Sequence, residues 1–527
     1  MKKLLLYFNT VKFLKPSQIF YSFFRYQNIH LLKENFALRQ LKSKPYFLSN
    51  ENSLKNNNFT FLNEKKEIKG NPFDIKAELL WVFNLNYFDY LLSDLNTKKC
   101  NDLIKQWCNL RKGDFKSSAW HPYPSSLRAV NFIKYYLTKN EIEDEFLNIL
   151  YFHGYLILKR IEYRVLGNHL IKNLKALIFC GCFFKTTRSN GWLDFAINRL
   201  LSEVDDQLLG DGLHFEKTPA YHNQVLEDLV DICIILKSYS LKDNERKKIQ
   251  ESISKMLYRS YKLNHPDGDI SFFNDSVFGM SKKTDEINSL IKKNDLGIDP
   301  LKTKSKNFLS RSYGDLFLIL NLSSINDSYQ PAHSHADNLS FELSFKKKRI
   351  IVNSGISTYK DSNLRNYQRS SKAHNMTTID GDNTSEVWSA FRVGRRVNTK
   401  IVNKEDGINF SKVAASYENL DRSHVERRFK ITDKSFKVID RVIGSNKKKI
   451  TYLHFSPDTS IETSKNEIYI LMKDEHIFTL SHDYSHFIIE NTFWYPLFGK
   501  AIPNLTLKLI SSEKKKQNFY KLTKQYQ

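Results

Sequence analysis

Three short segments concentrate side chains that can bind, donate or accept protons. The densest is Ala332-His333-Ser334-His335-Ala336-Asp337. In an extended segment alternate side chains share a face, so His333 and His335 would point the same way. With Asn353 at a strand end downstream and a third histidine at His374, the pattern reads as a metal site or as a catalytic histidine beside one. A hydrogen-bonded surface turn is the bland reading of the same residues. The second segment, 211–222, carries His214, Glu216, Tyr221 and His222 after an Asp-Gly turn signal, with Pro219 placed to open a helix. Two histidines, a carboxylate and a phenol at a helix mouth can move protons, although a tyrosine there is more often a packing aromatic. The third, Gly167-Asn168-His169-Leu170, offers an amide and an imidazole, and Asn168 alone reads equally as a helix N-cap.

A fourth cluster is basic: Arg365, Arg369, Lys372, Arg392, Arg395 and Arg396, interleaved with Tyr359, Tyr367, Trp388 and Phe391. Stacking plus phosphate contacts would suit a single-stranded nucleic acid, and the same residues would suit a cleft for an acidic sugar. No phosphate-binding glycine loop or helix-turn-helix pattern accompanies them. The formal charge of the chain is +24, from 81 Lys+Arg against 57 Asp+Glu, which favours a polyanionic partner without choosing one. The five cysteines are too few and too scattered for a disulfide framework or a thiolate metal site.

The elements that must hold these segments change character near residue 308. Before it, apolar residues recur at helical spacing, as in Leu127, Val130, Ile133 and Leu137, and in Val225, Leu226, Val230 and Leu236. After it, period-two alternation dominates. Leu339, Phe341, Leu343 and Phe345 alternate with Ser340, Glu342 and Ser344, which predicts a half-buried strand. Strand-like runs follow at 436–442, 450–455, 467–472, 476–480 and 486–493. The expected organisation is an N-terminal extension over 1–75, a helical domain over 76–280, a polar Lys-rich linker over 281–307 and a β domain over 308–527. The 527 residues are long enough for two or three domains with large cores.

At these residues the chain resembles the heparinase II/III family of polysaccharide lyases. The likeness rests on ordered motifs: Leu80-Trp81-Val82-Phe83-Asn84-Leu85-Asn86-Tyr87-Phe88, then Trp120-His121-Pro122-Tyr123 leading to Arg128 and Asn131, then Gly167-Asn168-His169-Leu170 and the 211–222 segment. Asn274-Asp275-Ser276, His333 to Phe341, Asn353-Ser354-Gly355 and Arg369-Ser370-Ser371-Lys372-Ala373-His374-Asn375 follow. The resemblance implies a multidomain α + β chain, with an incomplete α/α toroid followed by an antiparallel β-sandwich. It implies β-elimination at a uronic acid, in which a base removes the C5 proton and the 4-linked sugar leaves.

By that resemblance Asn168 and His169 neutralise the sugar carboxylate, Tyr221 transfers a proton at C5 or the leaving oxygen, and His333 is the partner base, a role His169 shares for one sugar epimer or the other. Arg128, His222, Tyr359, Tyr367, Arg369 and Arg392 are expected to bind substrate. Some members carry a zinc held by His, Asp and His. The matching positions are His335, Asn353 and His374, and the neutral amide of Asn353 predicts weak or absent zinc. No cofactor is otherwise implied, and the expected partner is an acidic polysaccharide rather than a nucleic acid. The alternatives are a uronyl C5-epimerase on the same scaffold and a non-catalytic polyanion-binding protein.

No apolar run approaches the roughly 20 residues of a membrane span. Lys2 and Lys3 before Leu4-Leu5-Leu6-Tyr7-Phe8 begin like a signal peptide, but Asn9 and Lys12 interrupt the apolar run. The expectation is a soluble protein of the bacterial cytoplasm, with the periplasm as the alternative.

Overall fold

The computed structural model describes residues 2–23, 29, 34–55, 58–139, 144–325, 329–464 and 467–525. Its first half is helical. Helices Thr97–Arg111, Pro122–Lys139, Asp144–Lys159, Gly167–Phe183, Thr187–Gln207, Pro219–Tyr239 and Asp243–Leu263 pack on their neighbours in sequence and across the layer. The helix Gly167–Phe183 is central, buried against Pro122–Lys139, Thr187–Gln207 and Pro219–Tyr239. It is apolar nearly all round, as a buried helix must be. Its two lysines are paired. Lys172 and Lys175 reach Asp228 at 2.7 and 2.9 Å, and Lys175 shares Asp231 with Lys134 at 2.5 Å each. Buried charges are tolerated only in such pairs, and here they tie three helices at one level.

The segment expected to be a linker contains a helix, Thr284–Lys293, whose Ile287, Leu290 and Ile291 are buried in the helical core. Its polar face supplied the linker-like composition, while the apolar residues at helical spacing pack inward. Residues expected to form an N-terminal extension also join that core, through Phe47, Leu54, Phe59 and Phe73.

The second half is antiparallel β-structure. Its largest sheet has eight strands in the order 400–406, 410–418, 424–432, 435–443, 517–524, 475–482, 467–472 and 459–464. The last long strand, Gln517–Lys524, inserts between earlier ones, pairing Phe436 with Leu522 and Val438 with Tyr520. Opposite lie two four-stranded sheets, linked by an antiparallel bridge between Ile351 and Phe455. Phe341, Phe429, Phe436, Phe478, Leu507 and Leu522 fill the space between the layers. Burying each contributes about 1.5–3 kcal/mol.

The strand Phe341–Phe345 is buried on both faces, not one. The alternation correctly separated two faces, but the polar face does not meet solvent. Glu342 and Ser344 point at the helical half, where His265 bonds Glu342 Oε2 at 2.8 Å and Ser344 Oγ at 2.7 Å. Glu342 also accepts the backbone N–H groups of Phe272 at 3.0 Å and Asn353 at 2.8 Å. A carboxylate buried between the halves is thereby fully occupied, as its desolvation requires.

Each half also buries a neutral histidine. Burial pushes His222 and His454 down to about 4, and each ring bonds a backbone carbonyl, of Met256 and Lys372. The unfolded chain takes up those protons below about pH 6.5, whereas the folded chain does not. Stability from these groups is therefore full above pH 6.5 and is lost as pH falls towards 4. Each contributes a slope of up to about 1.4 kcal/mol per pH unit in that window. Thermal melts between pH 7 and 4 should show this fall, and the double variant His222→Asn/His454→Gln should show a shallower slope.

Candidate active site

The site forms where the helical half ends and the β half folds back on it. Asn274-Asp275-Ser276, in the loop after helix Asp243–Leu263, is its hub. Ser276 Oγ accepts the Ala220 N–H at 3.0 Å, fixing the start of helix Pro219–Tyr239. Asn274 accepts the His335 N–H at 2.9 Å, and the Asp275 N–H reaches the His333 carbonyl at 3.1 Å. The Asp275 carboxylate is wholly buried and takes four side-chain hydrogen bonds. Arg365 grips it with two nitrogens at 2.5 and 2.7 Å, His333 Nδ1 donates at 3.0 Å and His335 Nε2 at 2.7 Å. Burial alone would raise its pKa, but Arg365 and the two histidines outweigh burial and hold it well below the ordinary carboxylate value.

A carboxylate only accepts, so the proton of neutral His333 sits on Nδ1 and Nε2 keeps its lone pair. That nitrogen faces Glu216, whose Oε2 lies 3.8 Å away. The His333 ring stacks on Tyr221, centroids 3.8 Å apart. Tyr221 stands in the first turn of the helix that Pro219 opens, as the sequence implied. Its hydroxyl bonds that of Tyr359 at 2.9 Å. Burial first, then Tyr359, raises the Tyr221 pKa well above 10, so the phenol is protonated at neutral pH. Phe391 closes the group, its ring 5.2 Å from Tyr359 and 6.1 Å from His333.

Asn168 and His169 sit at the start of helix Gly167–Phe183, on the helical side of the same site. Asn168 is not an N-cap: it is the second helical residue, after Leu166 at φ 61° and Gly167 at φ 56°. Only glycine fits at 167, because a Cβ there would lie 2.7 Å from Glu216 Oε1. The Asn168 N–H and Nδ2 donate to that oxygen at 3.5 and 3.3 Å. Burial nevertheless raises the Glu216 pKa, against the pull of His333 and Asn168. Glu216 Oε2 and Asn168 Oδ1 are buried with no hydrogen-bond partner among the described residues. His169 is a third exposed at its side chain, and its Nδ1 donates to Glu162 Oε1 at 3.1 Å. Tyr123 lies against it, centroids 4.3 Å apart. His169 and His333 thus share one plan, a carboxylate behind Nδ1 and Nε2 left over.

Several residues expected to bind substrate are placed elsewhere. Arg128 is fully buried over Trp107, bonding His153 Nε2 at 2.9 Å and the carbonyls of Asn86 and Ala119. His222 is fully buried and both its ring nitrogens are used, by Met256 O and the His214 N–H. Arg369 is buried and spends its guanidinium on the carbonyls of Ser334 and Ser389, bracing the His333–His335 loop from behind. Tyr367 lies two residues from Arg365 on helix Asn363–Gln368, about 200° round the axis. It faces away from Asp275, into a separate groove with Lys372, Tyr452, His454 and Tyr495. Arg392 is exposed and stacks on Tyr7 and Trp388. Of the basic cluster, Arg365 holds Asp275 and Arg395 pairs with Glu386 at 2.8 Å. These cations have intramolecular duties that charge spacing could not reveal.

At the expected metal positions, His335 Nδ1 and His374 Nε2 stand 3.2 Å apart. Asn353 Oδ1 accepts the Asn375 N–H at 3.2 Å. Because His335 Nε2 donates to Asp275, its Nδ1 accepts, and His374 Nε2 is the donor of the pair. Burial lowers the pKa of both rings, that of His335 to about 4.

The sequence motifs contained Asp275 without assigning it a role, Arg365 was read as part of a basic polyanion cleft and instead grips Asp275, and Glu216 was seen but not placed. Glu162, in the turn before helix Gly167–Phe183, carries no sequence signal at all.

Comparisons agree with this architecture. Residues 81–293 match the heparinase II/III N-terminus and residues 305–520 match the heparinase II/III-like C-terminal domain. A heparin-sulfate lyase of Bacteroides stercoris is 24% identical over 391 residues, covering 68% of this chain and 57% of that protein. One from Pedobacter heparinus is 24% identical over 358 residues, 63% of this chain and 52% of that protein. The chain therefore spans little more than half the length of the curated relatives it matches. Among solved structures, heparinase III superposes with a TM-score of 0.68 at 15% identity, covering 86% of this chain and 79% of that one. The heparan sulfate lyase of Pedobacter heparinus superposes with a TM-score of 0.58 at 16% identity, covering 89% and 81%. With both halves matched in order and the fold shared, this chain belongs to the heparinase II/III family.

Proposed function

We propose that the protein is a polysaccharide lyase that cleaves a uronic acid-containing polysaccharide by β-elimination, with the helical half an incomplete α/α toroid. The observation that carries this reading is the stacked pair of His333, its tautomer fixed by Asp275, and Tyr221, its phenol kept protonated by burial. Elimination needs a base at C5 and an acid at the leaving oxygen, both within hydrogen-bond reach. His333 Nε2 takes the C5 proton. The electron pair forms the C4–C5 double bond, the C4–O bond breaks, and the Tyr221 hydroxyl protonates the departing oxygen. Tyr359 holds that hydroxyl in place.

The sugar carboxylate makes the C5 proton hard to remove, so its charge must be neutralised. Asn168, His169 and Glu216 meet on the opposite wall. Glu216, its pKa raised by burial, can share a proton with a second carboxylate as Asn168 donates to it. The heparin-sulfate lyases among the relatives support an acidic polysaccharide as substrate, and their bacterial origin supports a bacterial setting.

Screening acidic polysaccharides for an ultraviolet-absorbing unsaturated product tests the reading. Solvent deuterium at C5 without chain cleavage would replace elimination by epimerisation. Binding with neither outcome would leave a polyanion-binding protein. Tyr221→Phe should lower kcat by about 10²–10⁴-fold with only a small fall in melting temperature, because the acid is lost together with a single hydrogen bond to Tyr359. Asp275→Asn should lower kcat by a comparable factor while circular dichroism remains that of a folded chain, because the His333 tautomer is no longer fixed.

The donor set does not fit a structural zinc. His335 has committed both nitrogens, Asn353 gives no charge, and structural zinc takes four good ligands. Metal analysis should find little zinc in the purified protein. Asn353→Asp should raise zinc occupancy, and no gain would remove these residues from any metal role.

A further inference from the structure

The N-terminal helix Lys2–Val11 shows two opposed faces. One is docked on the β half. Leu6 lies against Gly394, Asn9 is buried, and Thr10 Oγ1 accepts the Trp388 Nε1–H at 3.2 Å, with Tyr7 edge-on to the same indole. The other carries Leu4, Phe8 and Val11 at i, i+4 and i+7, and leaves them 76%, 66% and 45% exposed. At 100° per residue these three lie on the side of the helix away from Leu6, Asn9 and Thr10. Leu5, 58% exposed, flanks them. The short helix Pro16–Ser22 continues the pattern, leaving Ile19 and Phe23 exposed at 39% and 80% while Gln18 is buried. Lys15 fixes this second helix to the helical half through Asp206 at 3.0 Å. Both helices therefore contact the body of the protein, one on each half, with apolar side chains turned outward.

A water-soluble surface does not keep such a stripe without a use for it. The charge pattern selects the use. Residues 1–33 contain no Asp or Glu, but they contain Lys2, Lys3, Lys12, Lys15, Arg25 and Lys33. Arg392 stacks on Tyr7 of the first helix and Arg396 on Phe13 just after it, while Arg395 is paired with Glu386. An apolar stripe on a segment whose own sequence carries cations and no acid is complementary to the interface of an anionic bilayer. There apolar side chains enter the acyl boundary and lysines meet the headgroups. No helix among the described residues is long and apolar enough to cross a membrane, so the element would lie in the plane of the interface.

We propose that the two N-terminal helices form an interfacial docking element that seats the protein on an anionic lipid surface. The same platform is coupled to the site. Trp388 and Arg392, which hold the first helix, flank Phe391, whose ring meets Tyr359 and His333. Docking would bring that side of the site close to the lipid.

The test is co-sedimentation of the full chain with phosphatidylcholine vesicles and with phosphatidylcholine–phosphatidylglycerol vesicles, at low and high salt. The protein should sediment with the anionic vesicles and be partly released by salt, as screened attraction requires. The triple variant Leu4→Gln/Phe8→Gln/Val11→Gln alters only outward side chains and should keep its melting temperature. It should partition onto anionic vesicles about a hundredfold or more less well. A wild-type protein left in the supernatant with anionic vesicles would overturn the proposal, as would a triple variant that sediments equally. A wild-type dimer that the triple variant converts to a monomer, without vesicle binding, would also overturn it and assign the stripe to a second copy of the chain.

Discussion

One buried carboxylate organises this molecule. Asp275 belongs to the end of the helical half, and every side chain that binds it comes from the β half: Arg365, His333 and His335. Removing one partner of such a buried set leaves an uncompensated charge, at a cost of about 3–5 kcal/mol. The contact therefore closes the two halves on each other. It also decides which nitrogen of His333 is free. Domain closure and the tautomer of the proposed base are thus one interaction seen from two sides.

Glu342 is the reciprocal arrangement. It comes from the β half and is occupied by the helical half, through His265 and the Phe272 N–H. Its other oxygen holds the Asn353 N–H. Arg349 adds a pair to Asp267 beside it, at 2.7 Å. Two carboxylates offered in opposite directions fix the junction against sliding, because each needs several donors from the partner half at once. Hydrophobic contact alone is non-directional and would not fix register in this way.

The chemistry that this junction leaves exposed is small. Tyr221 and Tyr359 share a hydroxyl contact, His333 covers one face of the Tyr221 ring, and His169 stands on the helical wall with Glu162 behind it. Burial is what differentiates these groups. It keeps the Tyr221 phenol protonated and raises Glu216, while the cation and imidazoles around Asp275 overcome burial and keep that carboxylate charged. A protonated phenol and a charged carboxylate thus both stand against the His333 ring.

The sequence by itself determined the order of the two halves, because periods of 3.6 and 2 are local properties of the chain. Helices Pro122–Lys139 and Pro219–Tyr239 and strands Ser435–Ile443, Lys449–His454 and His486–Trp494 lie where those periods put them. The ordered motifs also singled out His333, Tyr221, Asn168 and His169. What each cation does was not legible. Arg128, Arg365 and Arg369 look alike in a string of letters, yet one packs on tryptophans, one grips Asp275 and one braces a loop. The polar face of Phe341–Phe345 read as solvent-facing, because alternation marks two environments without naming the second. Asp275, Arg365 and Glu216 meet across long separations in sequence, and Glu162 meets His169 across a helix start. Only tertiary closure brings such pairs within hydrogen-bond range, since hydrogen bonds act over about 3 Å and sequence spacing does not record distance across a fold.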